Sequence, residues 1–86
     1  MLYILIFPDT YQAISFENTC KNAGFSFTLR PVPRMLSSSC GIAAQVDSSR
    51  EHLDRILKQC QESGVKIESV YLHQKQNGQE AYSLVP

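Results

Sequence analysis

Eighty-six residues, 43% of them apolar, make one small domain with no room for a second core. Eight Lys and Arg balance eight Asp and Glu, so the basic excess of a phosphate-backbone binder is missing and nucleic acid is excluded as a partner. A chain this short buries only about 60–65% of its unfolded surface, a thin margin that leaves a homodimer through an apolar face open.

The apolar start "LYILIF", residues 2–7, reads as a strand with two buried faces, suited to the middle of a sheet. It is too short for a signal-peptide core, has no basic flank and falls far below a membrane span. The expected location is the cytoplasm, without a membrane partner. Pro8 ends the strand, and Asp9 caps a helix with Gln12 at the reciprocal capping-box position. Ala13, Phe16, Cys20 and Ala23 step by three and four into one stripe, and Asn22 and Gly24 close the helix. "FSFTLR", residues 25–30, alternates, with Phe25, Phe27 and Leu29 inward, which predicts a half-buried edge strand.

A biased connection, "RPVPRMLSSSCG" (30–41), leads into "GIAAQV", a second interior strand. Ile42, Ala44 and Val46 share one of its faces, and the small Ala43 on the other permits close approach. Ser48 with Glu51 forms a capping box for the next helix, whose stripe is Leu53, Ile56, Leu57 and Cys60, with Gly64 beyond its end. "VKIESVYLH", residues 65–73, is a further strand whose inward phase shifts between Ile67 and Val70, which predicts a bulge. Asn77-Gly78 is a turn signal, so residues 75–86 are a tail or a short extra strand after a single domain of residues 1–74.

The order strand, helix, strand, strand, helix, strand predicts a ferredoxin-like βαββαβ sandwich of the α+β class. Its four-stranded antiparallel sheet carries both helices on one face. That fold hosts many functions and selects none. An RNA binder of this shape needs aromatic rings on both central strands, and "GIAAQV" has none. A soft-metal carrier needs CxxC after the first strand, where this chain has "PDT". An anion-binding turn there would want Gly and Arg. No metal site is expected, since the three cysteines are spaced by twenty and His52 and His73 complete no ligand pattern.

Cys20 and Cys60 fall on helix stripes and read as small buried hydrophobes. Cys40 lies off any helix, at the end of a connection far longer than the two to five residues two adjacent strands require. Pro31 and Pro33 stiffen that loop, Ser37, Ser38 and Ser39 bring hydroxyl donors, and Gly41 frees the backbone. No acidic residue lies between Glu17 and Asp47, while Lys21, Arg30 and Arg34 are cationic. Nearby cations and donors favour a thiolate, and the same surroundings would hold an anion attached to it. A cysteine hydrolase also needs an oriented histidine; His73 is the sole candidate, and nothing places it near Cys40. Carriage of a sulfane atom needs less: a reachable thiol, donors for the terminal anion, and an apolar rim such as Met35 and Leu36. An inert cysteine in a structural loop fits the composition equally well.

"FPDTYQAI", "PVPRMLSSSCGIA" and "GVKIESVY" together resemble the selenium/sulfur (Se/S) carrier protein-like family across roughly residues 2–73. The resemblance implies a non-enzymatic carrier with Cys40 as acceptor and Arg34, Ser38, Ser39 and Gly41 in the motif around it. Arg30 joins Arg34 as an expected cation for the cargo. No cofactor is implied beyond sulfane sulfur or selenium on Cys40, held as a persulfide or selenopersulfide. The implied partners are a cysteine desulfurase-like donor and an acceptor protein. The competing reading is an ACT- or PII-like regulatory module that binds a small ligand, with Cys40 incidental. A carrier requires Cys40 to react before the other two thiols, whereas a buried Cys40 favours the regulatory module.

Overall fold

In the computed structural model, which describes residues 1–86, the elements are β1 (Leu2–Ile6), α1 (Thr10–Ala23), β2 (Thr28–Pro31), β3 (Ile42–Asp47), α2 (Arg50–Glu62), β4 (Ser69–Gln76) and β5 (Gln79–Leu84). β1 takes the centre of the sheet because both its faces are apolar. Tyr3, Leu5 and Phe7 face the helices and Ile4 and Ile6 face away, all buried. Each such side chain contributes about 1.5–3 kcal/mol on full burial, so no edge position would suit this segment. The sheet is antiparallel throughout, in the order β2-β3-β1-β4-β5.

The expected α+β architecture is present, but with five strands rather than four. Residues 79–84 form the extra strand, paired with β4 from Gln76–Gln79 to Tyr71–Leu84. Asn77 (φ 53°) and Gly78 (φ 78°) both adopt left-handed backbone, the type I′ geometry that matches strand twist in a two-residue hairpin. His73 stacks on Tyr82 with ring centroids 4.6 Å apart and bonds through Nε2 to the Glu80 carboxylate, fastening the hairpin from one face.

Several local expectations shift. Asp9 does cap α1, its carboxylate accepting from the Gln12 amide at 2.9 Å. The Gln12 side chain does not return the bond. Its Oε1 accepts from the Lys66 amide at 2.8 Å and ties α1 to the segment before β4. The α2 cap is Ser49, bonded to the His52 amide at 3.1 Å, one residue later than the Ser48–Glu51 box predicts. The change of phase falls at the start of β4, where the Glu68 amide donates to the Ile6 carbonyl at 2.8 Å although Ile6 pairs with Ser69, two residues opposite one as in the expected bulge. Residues 65–68 precede the strand, so Val65, Ile67, Val70 and Leu72 all reach the helix-side core.

That core joins Tyr3, Leu5 and Phe7 with Ala13, Phe16 and Cys20 of α1 and Leu53, Ile56 and Cys60 of α2. Phe16 packs against Phe7 and Phe27 at centroid distances of 5.2 and 5.5 Å. On the far face Ile4, Ile6 and Ala43 form a second buried cluster, covered by Val32, Leu36, Tyr71 and Tyr82. The close approach that Ala43 permits is therefore made by the loop after β2. No helix is long and apolar enough to cross a membrane.

Candidate functional site

Topology brings two connections to one end of the sheet. β1 and β3 are antiparallel neighbours, so the end of β1 and the start of β3 meet there. The β1–α1 connection, Phe7 to Asp9, thus faces the last residues of the loop 32–41. Side-chain oxygens hold the two together. Ser38 Oγ donates to the Phe7 carbonyl at 3.4 Å and accepts from the Cys40 amide at 3.1 Å, and Ser39 Oγ donates to the Pro8 carbonyl at 3.0 Å. The Val32 amide donates to the Gly41 carbonyl at 3.2 Å and closes the base of the loop. Pro33 is buried, and Leu36 packs on the far-face cluster, so the loop is clamped at both ends.

Cys40 points into the helix-side core and is 2% exposed, as buried as Cys20 (0%) and Cys60 (1%). Accessibility therefore does not single it out, contrary to the expectation of a reachable thiol. Its Sγ donates to the Ile42 carbonyl at 3.5 Å and lies 4.0 Å from Thr10 Oγ1. Thr10 is the first residue of α1 and is exposed, as are Ser39 and Gly41 on either side of the cysteine. The sulfur lies against the first residue of α1, next to the positive end of the helix dipole, which favours negative charge nearby.

The cations are not gathered here. Arg30 pairs with Ala43 across β2 and β3, which puts its side chain on the face away from the helices, opposite to Cys40. Its guanidinium bonds Gln45 Oε1 at 2.9 Å and the Pro31 carbonyl at 3.3 Å. Lys21 lies near the far end of α1, paired with Glu17 at 3.4 Å. Arg34 is exposed. Leu36 is no rim for the thiol, and Met35 is 67% exposed.

Ser38 and Ser39 spend their hydroxyl protons on pinning the loop. The Gly41 amide makes no hydrogen bond within the chain. Gly41 does not adopt positive φ, and a Cβ there would meet nothing within 4 Å, so neither backbone freedom nor space explains the glycine. His73 sits opposite Leu2, five residues along β1 from Phe7, about 17 Å at the rise of a strand. It takes no part in the site.

Thr10 is the residue that the sequence reading missed. The signal lay in "PDT": in a βαββαβ order the first strand–helix connection and the loop before the third strand share one end of the sheet.

The other two thiols are set apart. Cys20 on α1 and Cys60 on α2 face one another in the core; interaction with the Cys60 thiol, then burial, pushes the Cys20 thiol far above its ordinary range and keeps it protonated. All three cysteines are unpaired.

A family model described as "Putative Se/S carrier protein-like" matches residues 2–72. No curated protein and no solved structure matches the chain significantly.

Proposed function

The chain belongs to the Se/S carrier protein-like family, as its loop residues suggested, and on that premise we propose that it carries sulfane sulfur or selenium on Cys40. The cargo arrives from a cysteine desulfurase-like donor as a terminal chalcogen. The Cys40 thiolate attacks that outer atom, the donor's S–S or S–Se bond breaks, and the donor thiolate leaves. Cys40 then bears a persulfide or selenopersulfide, which an acceptor thiolate takes by the same exchange. No net oxidation occurs, and no cofactor enters the step.

One observation supports Cys40 over the other two thiols. It alone lies in a loop, between exposed Ser39 and Gly41 and beside exposed Thr10, so a small displacement uncovers it without unwinding a helix. The Gly41 amide and the first turn of α1 then face an anionic cargo. Its closed resting position suits a carrier, because a covered sulfane atom is protected from stray thiols. Ser38 and Ser39 act as latches in this reading rather than as cargo ligands. Arg34, exposed at the surface of the same loop, is the remaining cation that can turn toward the cargo or the donor.

Burial of Cys40 is the specific observation that favours the competing regulatory module. Loading separates the two. Incubation with a desulfurase and cysteine or selenocysteine, followed by intact mass, is expected to add one sulfur or selenium. Cys40→Ser is expected to load none, while Cys20→Ala and Cys60→Ala load as wild type. Loading that survives Cys40→Ser ends the carrier reading for this thiol.

A further inference from the structure

The two edges of the sheet are treated differently by the sequence. β2 is short, its residues Pro31 and the following Pro33 offer no amide, and the Arg30 guanidinium occupies the Pro31 carbonyl at 3.3 Å. Such devices stop an edge from pairing with another chain. β5 has none of them. It is six residues long, regular and free of proline, and Leu84 on it is 64% exposed.

The groups left open on β5 follow from its register. The Val85 amide donates to the Val70 carbonyl at 2.8 Å, and inward bonding alternates along an antiparallel ladder. Ala81 and Ser83 therefore bond toward β4, whereas the amides and carbonyls of Glu80, Tyr82 and Leu84 turn outward.

We infer that β5 pairs antiparallel with β5 of a second copy of this chain, making one continuous sheet across a two-fold axis. The strand is self-complementary about Tyr82. With the axis there, Tyr82 meets Tyr82 of the second copy and exchanges two backbone hydrogen bonds, and Glu80 lies opposite Leu84 on each side. No like charges oppose one another, because the single ionic residue of the strand falls across from a leucine. The Glu80 carboxylate is also hydrogen-bonded to His73 of its own chain. Beside that row, Ala81 faces Ser83, two small residues that let the strands approach. A partner protein's strand could satisfy the same backbone groups, but only a second copy makes use of this symmetric placement. The far-face row of Tyr82, Leu84 and Tyr71 would then run on into its copy, covering Leu84. The inference is independent of any cargo on Cys40.

Sedimentation of the whole chain over a hundredfold concentration range is expected to show a monomer–dimer equilibrium. Tyr82→Pro removes an outward amide together with the ring that stacks on His73, and Leu84→Lys places a charge on the edge; both are expected to give monomers, Leu84→Lys with unchanged circular dichroism. Should Tyr82→Pro unfold the hairpin, Leu84→Lys alone decides. Register is read by a short bis-maleimide in a background with Cys40 replaced by serine: Tyr82→Cys is expected to link to itself. Glu80→Cys is expected to link efficiently only when mixed with Leu84→Cys. A monomer at every concentration overturns the inference, as does a dimer that Leu84→Lys leaves intact.

Discussion

Thr10 Oγ1 stands 4.0 Å from Cys40 Sγ, joining the exposed first turn of α1 to a thiol that is otherwise inside the core. This contact places an exposed side chain directly against the sulfur. Thr10→Ala is expected to raise the alkylation rate of Cys40, while Thr10→Val, which preserves the volume, leaves it near the wild-type rate. Peptide mapping after timed iodoacetamide labelling measures both, with Cys20 and Cys60 as slow internal references. Equal rates in the two variants would show that the threonine does not cover the sulfur.

Ser38 holds the loop by two hydrogen bonds, one from the Cys40 amide and one to the Phe7 carbonyl. Ser38→Ala leaves partly buried groups unpaired, at a cost of about 1–2 kcal/mol. If the loss falls on local opening, the Cys40 labelling rate rises about 5- to 30-fold. The Cys20 and Cys60 rates stay unchanged, because neither thiol depends on this latch. A parallel rise at all three cysteines would instead mean that the variant loosens the whole domain.

Ala43 is fully buried between Ile4, Ile6 and the loop residues Val32 and Leu36. Ala43→Leu forces those loop residues off the sheet and is expected to destabilise by about 1–3 kcal/mol. The urea midpoint measures the loss. Labelling of Cys40 should increase in the same variant, since the loop it displaces also carries the cysteine.

Two glycines separate structural from functional roles. Gly78 has φ 78°, so Gly78→Ala strains the type I′ turn and costs about 1–2 kcal/mol in thermal or urea unfolding. Gly41→Ala meets no atom and needs no unusual backbone, so stability changes by less than about 0.5 kcal/mol. In a carrier whose donors and acceptors must approach Cys40 closely, the added methyl is nevertheless expected to slow loading.

Alkaline pH is expected to weaken the fold through Cys20. Its folded-state thiol is held protonated above the ordinary value of 9.0 by interaction with Cys60 and by burial. An unfolded chain releases that proton as pH passes 9.0 while the native chain keeps it, so native protein then binds more protons and stability falls with rising pH. Below 9.0 the contribution is fully present. A lone buried Cys60 would hold its proton in the same way, so the double variant Cys20→Ala/Cys60→Ala should flatten the decline in urea midpoints measured between neutral pH and pH 10; an unchanged slope would assign it to other groups.

The sequence alone determined the elements whose side chains must be buried by period. "LYILIF" had to be central because both faces are apolar, and the Ala13–Phe16–Cys20 and Leu53–Ile56–Cys60 stripes sent two cysteines into the core. The loop residues carried the family, and Asn77-Gly78 carried the hairpin turn. Periodicity left β5 open, because a half-exposed edge strand has too few buried residues to mark it. The tertiary structure decided what stands around Cys40. Charges counted along the chain suggested a basic pocket, but sheet pairing sends Arg30 to the opposite face and the helix carries Lys21 to its far end. The alternation of residues 25–30 already sets Arg30 opposite to Leu29, but that Cys40 shares the face of Leu29 is a relation between the loop and the sheet that only the fold supplies. The serines that looked like cargo donors are latches for the same reason: their partners, the carbonyls of Phe7 and Pro8, lie 31 residues away along the chain and meet them only in the fold.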